Sequence, residues 1–262
     1  MTILAAAVCL AAEAQQWDSL YYRPDRHVVP IESITCHRGM ELLGGDSLDV
    51  IETVAEGKHA GIVYIYHGNA ENITGKNMQA SMRALTKAGY TVRTFDYPGF
   101  GRSAGTPAHE AICEAAREHF RRTMAGTSPT IPVILYGDKM PAETFAAEND
   151  GRVAGLILDG GGPSFKSLAL LFAPMEVHPF IEQFMHDPYS AKEALRRLNN
   201  TKVLFIHSKD DHIPYSDARS MYDNFEGSKS FWTYDGVHID AATLHPDEFV
   251  SHVDSLARGM RP

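Results

Sequence analysis

Four short segments of this chain gather residue types that move protons or turn the backbone tightly. They are His67-Gly68-Asn69-Ala70-Glu71-Asn72, Asp96-Tyr97-Pro98-Gly99-Phe100-Gly101-Arg102-Ser103, Ser208-Lys209-Asp210-Asp211 and Asp235-Gly236-Val237-His238. Histidine and aspartate are the residues of general acid–base work when they can be brought within hydrogen-bond reach. A metal reading of His207, Asp210, Asp211 and His212 is weak, because they crowd one loop without a recognised ligand spacing. No metal is expected.

Each segment follows a run that reads as a strand. Gly61–Tyr66 is continuously apolar, and Thr91–Phe95, Lys202–Ile206 and Ser228–Tyr234 precede the other three segments. Pro132–Tyr136 and Val153–Leu158 are two more buried strands. Helical patterns lie between them: Met78, Met82 and Leu85 before Gly89, then Ile112, Ala116, Phe120 and Met124, and finally Phe249, Val253 and Leu256. This alternation predicts an α/β fold with a mostly parallel central sheet and helices on both faces. In such sheets, binding sites lie outside the carboxyl ends of the strands. Residues before about 60 read as antiparallel, with Ile31–Cys36 and Leu48–Val54 as candidate strands. Gly160-Gly161-Gly162-Pro163 is a strand-exit turn, and residues 163–200 are rich in Phe, Leu, Met and Pro without a strand pattern. That stretch is a small helical lid or pocket wall, or else a pair of packing helices.

The first two segments together resemble the H-G-N-A-x-N loop and D-Y-x-G-x-G-x-S turn of the α/β-hydrolase superfamily, most of all its ABHD-type serine hydrolase branch. The resemblance runs from about Leu20 to the end of the chain. It implies the α/β-hydrolase fold, with His238 as general base and Asp211 holding its tautomer and offsetting its imidazolium charge. Asp210 competes for that place: counting back from Pro214 favours Asp210, and counting forward from His207 favours Asp211, which is preferred. Acyl transfer builds negative charge on a carbonyl oxygen, which two backbone N–H groups stabilise. In this fold they come from the loop after the His-Gly strand and from the residue after the nucleophile. Here those positions are Asn69 or Ala70, and Met140.

The chain departs from the family at the nucleophile. Where Gly-x-Ser-x-Gly is expected, it reads Gly137-Asp138-Lys139-Met140-Pro141-Ala142. Lys139 stands in the serine's place and Pro141 in that of the following glycine, although Pro141 suits the first turn of a helix. The expectation is a non-catalytic relative that binds a small acyl- or ester-like ligand or a protein partner. Lys139 as nucleophile or base would need a deprotonated amine, which the nearby Asp138 and Asp211 oppose. Asp138 as nucleophile would put the bulky Tyr136 where a small residue belongs. A compensating serine, such as Ser103 or Ser164, is a further alternative. An active hydrolase of small ester, amide or acyl substrates, using His238, Asp211 and a non-serine nucleophile, is the second reading.

Composition narrows the classes. The 262 residues are 44% hydrophobic and 22% charged, which suits one domain with a sizeable core. A net charge of −9 argues against nucleic-acid binding, which relies on Lys and Arg neutralising phosphates. Three cysteines cannot make a disulfide framework. No glycine-rich segment is a G-x-G-x-x-G opening a helix, so no cofactor is implied. Residues 1–19 are a leader or N-terminal tail, and 20–262 the hydrolase-like domain with 163–200 as its lid insertion. Ile3–Ala12 is too short to span a bilayer, and Ala12-Glu13-Ala14 resembles a small-residue cleavage site. Localisation is therefore left between cytoplasmic and exported.

Overall fold

Every residue of Gly61–Tyr66 is buried, which a strand achieves only when both faces of its sheet are covered. In the computed structural model, which describes Asp18 and residues 21–137, 142–185 and 190–258, this strand lies in the middle of an eight-stranded sheet. The strands are β1 (Cys36–Leu43), β2 (Asp46–Thr53), β3 (Gly61–Tyr66), β4 (Tyr90–Phe95), β5 (Val133–Gly137), β6 (Gly155–Asp159), β7 (Lys202–Ser208) and β8 (Lys229–Tyr234). Their spatial order is β1-β2-β4-β3-β5-β6-β7-β8. β2 runs antiparallel to both of its neighbours, and the pairs from β4 through β8 are parallel.

Alternate residues of each central strand feed different cores. Ile62, Tyr64, Leu135, Leu156 and Phe205 meet α2 (His109–Met124), α3 (Ala142–Glu148), α6 (Ala191–Leu195) and α7 (Tyr215–Asn224) on one face. Val63, Ile65, Ile134, Ile157 and Leu204 meet α1 (Lys76–Lys87), α8 (Ala241–Leu244) and α9 (Pro246–Ala257) on the other. Phe249 of α9 is fully buried there, and truncating such a residue to alanine costs about 3–5 kcal/mol. Gly89 closes α1 with φ +91°.

The first strand needs a correction. Of the candidate Ile31–Cys36, only Cys36 is in β1, which continues to Leu43. The cause is the Gly44-Gly45 turn, with φ +59° and +92°, which closes a hairpin pairing Leu43 with Asp46 and Cys36 with Thr53. β1 is an edge strand with mostly exposed or half-buried side chains, so no apolar alternation marked it.

Between β6 and β7 the described residues form α4 (Phe165–Phe172), a 3₁₀ turn (Met175–Val177), α5 (His178–Phe184) and α6. Ser164 caps α4 in a reciprocal pair with Ser167. Leu168 and Ile181 anchor α4 and α5 inward, while Phe172, Met175, Phe180 and Phe184 are exposed. No helix among the described residues is long and apolar enough to cross a membrane.

Candidate active site

Six parallel strands end at the same edge of the sheet, and the chemistry-bearing segments leave from those ends. His238 lies in the loop after β8, and its Nδ1 is 2.8 Å and 2.9 Å from the two oxygens of Asp211, in the loop after β7. An ionised carboxylate only accepts, so Nδ1 carries the proton and Nε2 is left as an acceptor. The Asp211 side chain is 1% exposed and that of His238 21%. Burial works to raise the Asp211 carboxyl, but the hydrogen bond and charge of His238 and the Ile213 N–H outweigh it and hold it below the usual range. Asp210 is exposed and reaches Ser208 through its backbone N–H.

The His238 loop is clasped from both strands. The Tyr234 hydroxyl donates to Val237 O and accepts the Asp240 N–H at 3.0 Å, and Ser208 Oγ donates to Gly236 O. Ile239, between these ties, has φ +56°. For a β-branched residue this conformation is strained, and it persists only where its surroundings over-determine it. Beneath the pair lies Gly160, at φ +65°, where a Cβ would sit 2.7 Å from His238 Nδ1 and 3.1 Å from Asp211 Oδ2. Only glycine fits both the backbone and the space. His212 joins the group from the exposed side, with its ring centroid 4.2 Å from that of His238 and its Nδ1 3.5 Å from Asp211 Oδ1.

The loop after β3 is held by its own motif. Tyr97 N–H donates to His67 Nε2 at 3.2 Å, so the ring proton sits on Nδ1, 2.9 Å from Gly68 O. The Tyr97 ring stacks on His67 at 3.8 Å. Asn69 uses its side chain to bind Tyr21 O and the Arg23 N–H, and Asn72 binds Asp25 and His27 O. Ala70 turns through φ +66°. A cavity of about 20 Å³ is bordered by His67 and Gly68 of this loop, by Gly137 at the end of β5 and by Ile239. That is room for about one water.

The Asp96–Ser103 turn is scaffold. Ser103 is buried, donates to Asp96 O and accepts the Asp49 N–H. Arg102 and Arg38 both grip the Asp49 carboxylate, and Asp96 Oδ1 accepts the Ile73 N–H. Ser164 is committed to capping α4. Neither serine is a free hydroxyl beside His238. Lys139 and Met140, with Asp138 and Pro141, lie outside the described residues. Sequence reasoning named Ser208 in a loop segment, Gly160 in a strand-exit turn and Tyr234 as a strand end, but it gave none of them its role in holding His238. It weighed His212 only in a different metal set.

Known proteins share this fold and part of its sequence. A family profile described as serine aminopeptidase, S33, matches residues 57–177. The uncharacterized protein YfhR of Escherichia coli (strain K12) is 25% identical over 263 residues, covering 94% of this chain and 86% of that protein. Lysophosphatidylserine lipase ABHD12 of Mus musculus is 26% identical over 203 residues, covering 69% of this chain and 49% of the lipase. Among solved structures, an α/β hydrolase from Vibrio vulnificus superposes with a TM-score of 0.75 at 16% identity, covering 98% of this chain and 94% of that one. The Pyrococcus furiosus esterase Pf2001 gives a TM-score of 0.70 at 14% identity, covering 92% and 98%. By sheet order and strand-end loops the chain has an α/β-hydrolase architecture, and its sequence is broadly related to the ABHD-type esterase and lipase branch.

Proposed function

We propose that this chain is a ligand- or partner-binding relative of esterases and lipases, which keeps the acid–base frame of acyl transfer without a serine nucleophile. The observation that carries the reading is the Asp211–His238 pair at 2.8 Å, set beside a strand exit whose sequence has Lys139 in the serine's place. Asn69 or Ala70, with Met140, supply N–H groups for an acyl oxygen, and residues 163–200 cover the site as a lid. A small acyl- or ester-like molecule is the ligand class that such a site accommodates. Without the serine, only residual effects of binding and oxyanion stabilisation remain.

A second reading, an active hydrolase of esters, amides or acyl compounds with a non-serine nucleophile, draws support from Ile239. Its strained backbone holds His238 in place, a cost of about 1–3 kcal/mol with no use in an idle loop.

The test is hydrolysis of short- and medium-chain activated esters by the parent, His238→Ala, Lys139→Ser and Lys139→Ser/His238→Ala proteins. The binding reading expects no turnover in the parent, turnover in Lys139→Ser, and its loss in the double variant. Parent turnover that vanishes in His238→Ala would replace it with the second reading.

A further inference from the structure

We infer that Asp211, His212 and His238 form a site for a divalent transition-metal ion of the zinc type, and that occupancy switches His238 from proton acceptor to proton donor. One ligand atom from each residue lies within 4.8 Å of the other two. Two imidazole nitrogens and a carboxylate oxygen are the donor set of three-ligand zinc sites, which leave a fourth position for water. With metal–ligand bonds of about 2.0–2.1 Å, a tetrahedral ion separates its ligand atoms by about 3.3 Å. On the single oxygen Asp211 Oδ1 the distance from His212 Nδ1 is already 3.5 Å, and the edge of 2.9 Å from His238 Nδ1 has to open slightly.

Two further observations fit. Beside the pair residue 160 is glycine, and a Cβ there would crowd it, coming within 2.7 Å of His238 Nδ1 and 3.1 Å of Asp211 Oδ2. The His212 side chain is 55% exposed, with Phe172 of α4 beside its ring at 5.9 Å. The site therefore joins the strand ends to the insertion.

The consequence follows from imidazole chemistry. In the metal-free protein the His238 ring proton is on Nδ1, facing Asp211, and Nε2 accepts. An ion on Nδ1 takes that proton's place, and the proton moves to Nε2. The ring remains neutral, but the nitrogen that would act as base becomes an N–H donor. Metal binding itself is independent of whether Lys139 has silenced acyl transfer; only the effect on His238 rests on the reading of that residue as a base.

Titration of the full chain with Co²⁺, followed by its visible absorption, tests the site directly. The expected result is one ion bound with an intense low-coordinate spectrum. Affinity should fall about tenfold or more in His212→Ala and in His212→Asn, and stay unchanged in the control His37→Ala on β1. In parallel, the low-field ¹H resonance of His238 Nδ1–H should vanish on adding Zn²⁺ to the parent and persist in His212→Ala. Equal Co²⁺ affinity in parent and both His212 variants, or a purely octahedral spectrum, would overturn the assignment. Retention of the Nδ1–H signal at saturating Zn²⁺ would do the same.

Discussion

The exits of β4 and of the β7–β8 pair use the same residue types, aspartate, serine, tyrosine and glycine, to opposite ends. After β4 the side chains are spent on the scaffold: Asp49 is fully buried between Arg38 and Arg102, and Ser103 stitches β2 to the turn. After β7 and β8 the polar groups fix only the backbone, through Ser208 and Tyr234. His238 is thereby left 21% exposed, with one nitrogen directed away from its carboxylate. A short motif shows that a turn will form. Its hydrogen-bond partners decide whether the turn carries chemistry.

The contrast predicts the largest difference in stability. Asp49→Asn removes the charge shared by two arginines, and with both of these partly exposed the cost falls near the low end for a broken buried pair, about 3 kcal/mol. Asp211→Asn keeps the oxygen that accepts the Ile213 N–H and loses about 1 kcal/mol. Urea unfolding of the two variants measures both. Equal losses would show that the Asp211 loop is as much a part of the scaffold as the Asp49 cluster.

The two exits also titrate in opposite directions. Burial raises the Asp96 carboxyl to about 7, the Asp49 charge adding to it against the Ile73 N–H. The folded state therefore holds a proton that the unfolded chain releases near pH 4, at about 3.9. Stability from Asp96 is fullest below pH 4, declines up to about pH 7 and is level above. Asp211, held low, contributes above pH 4 and is lost as pH falls through its folded value. Between pH 5 and 7, Asp96→Asn should flatten the decline in urea stability, and Asp211→Asn should leave it in place. An unchanged slope in Asp96→Asn would refute the assignment.

Ser103→Ala comes next. It strands the buried Asp49 N–H and should cost about 2 kcal/mol. Mass spectrometry after a fluorophosphonate should find no adduct on Ser103 of the parent. An adduct there would turn scaffold into nucleophile.

Most of the fold was legible because β3, β5 and β6 are apolar runs with a glycine at one end, and covered on both faces they need no subtler signal. β1 was misplaced because an edge strand with outward side chains carries no alternation, and its turn, Gly44-Gly45, was the better marker. At the site, His238 and both candidate aspartates were readable from their motifs. Which carboxylate reaches the imidazole depends on a loop that turns Asp210 to solvent, and local spacing does not encode that turn. Tyr234 was read only as the end of a strand, since its work is done by one hydroxyl across three residues of loop.

That hydroxyl gives the smallest and most selective effect. Tyr234→Phe keeps the ring in the α8–α9 core and removes only the bonds to Val237 O and the Asp240 N–H. Both groups lie in a half-exposed loop where water can replace the hydroxyl, so global stability should fall by about 1 kcal/mol. Locally the change is larger, because Ile239 at φ +56° then lacks one of the clasps that hold it there. Relaxation of that residue would carry His238 off Asp211 without unfolding anything. The expected signature is a His238 Nδ1–H proton that exchanges at least about tenfold faster than in the parent, the ratio that 1.4 kcal/mol of local opening produces. Denaturation curves would meanwhile stay nearly superimposed. If exchange is unchanged, Ser208 and the packing of Gly160 hold the loop alone, and the tyrosine belongs with the scaffold at the other exit.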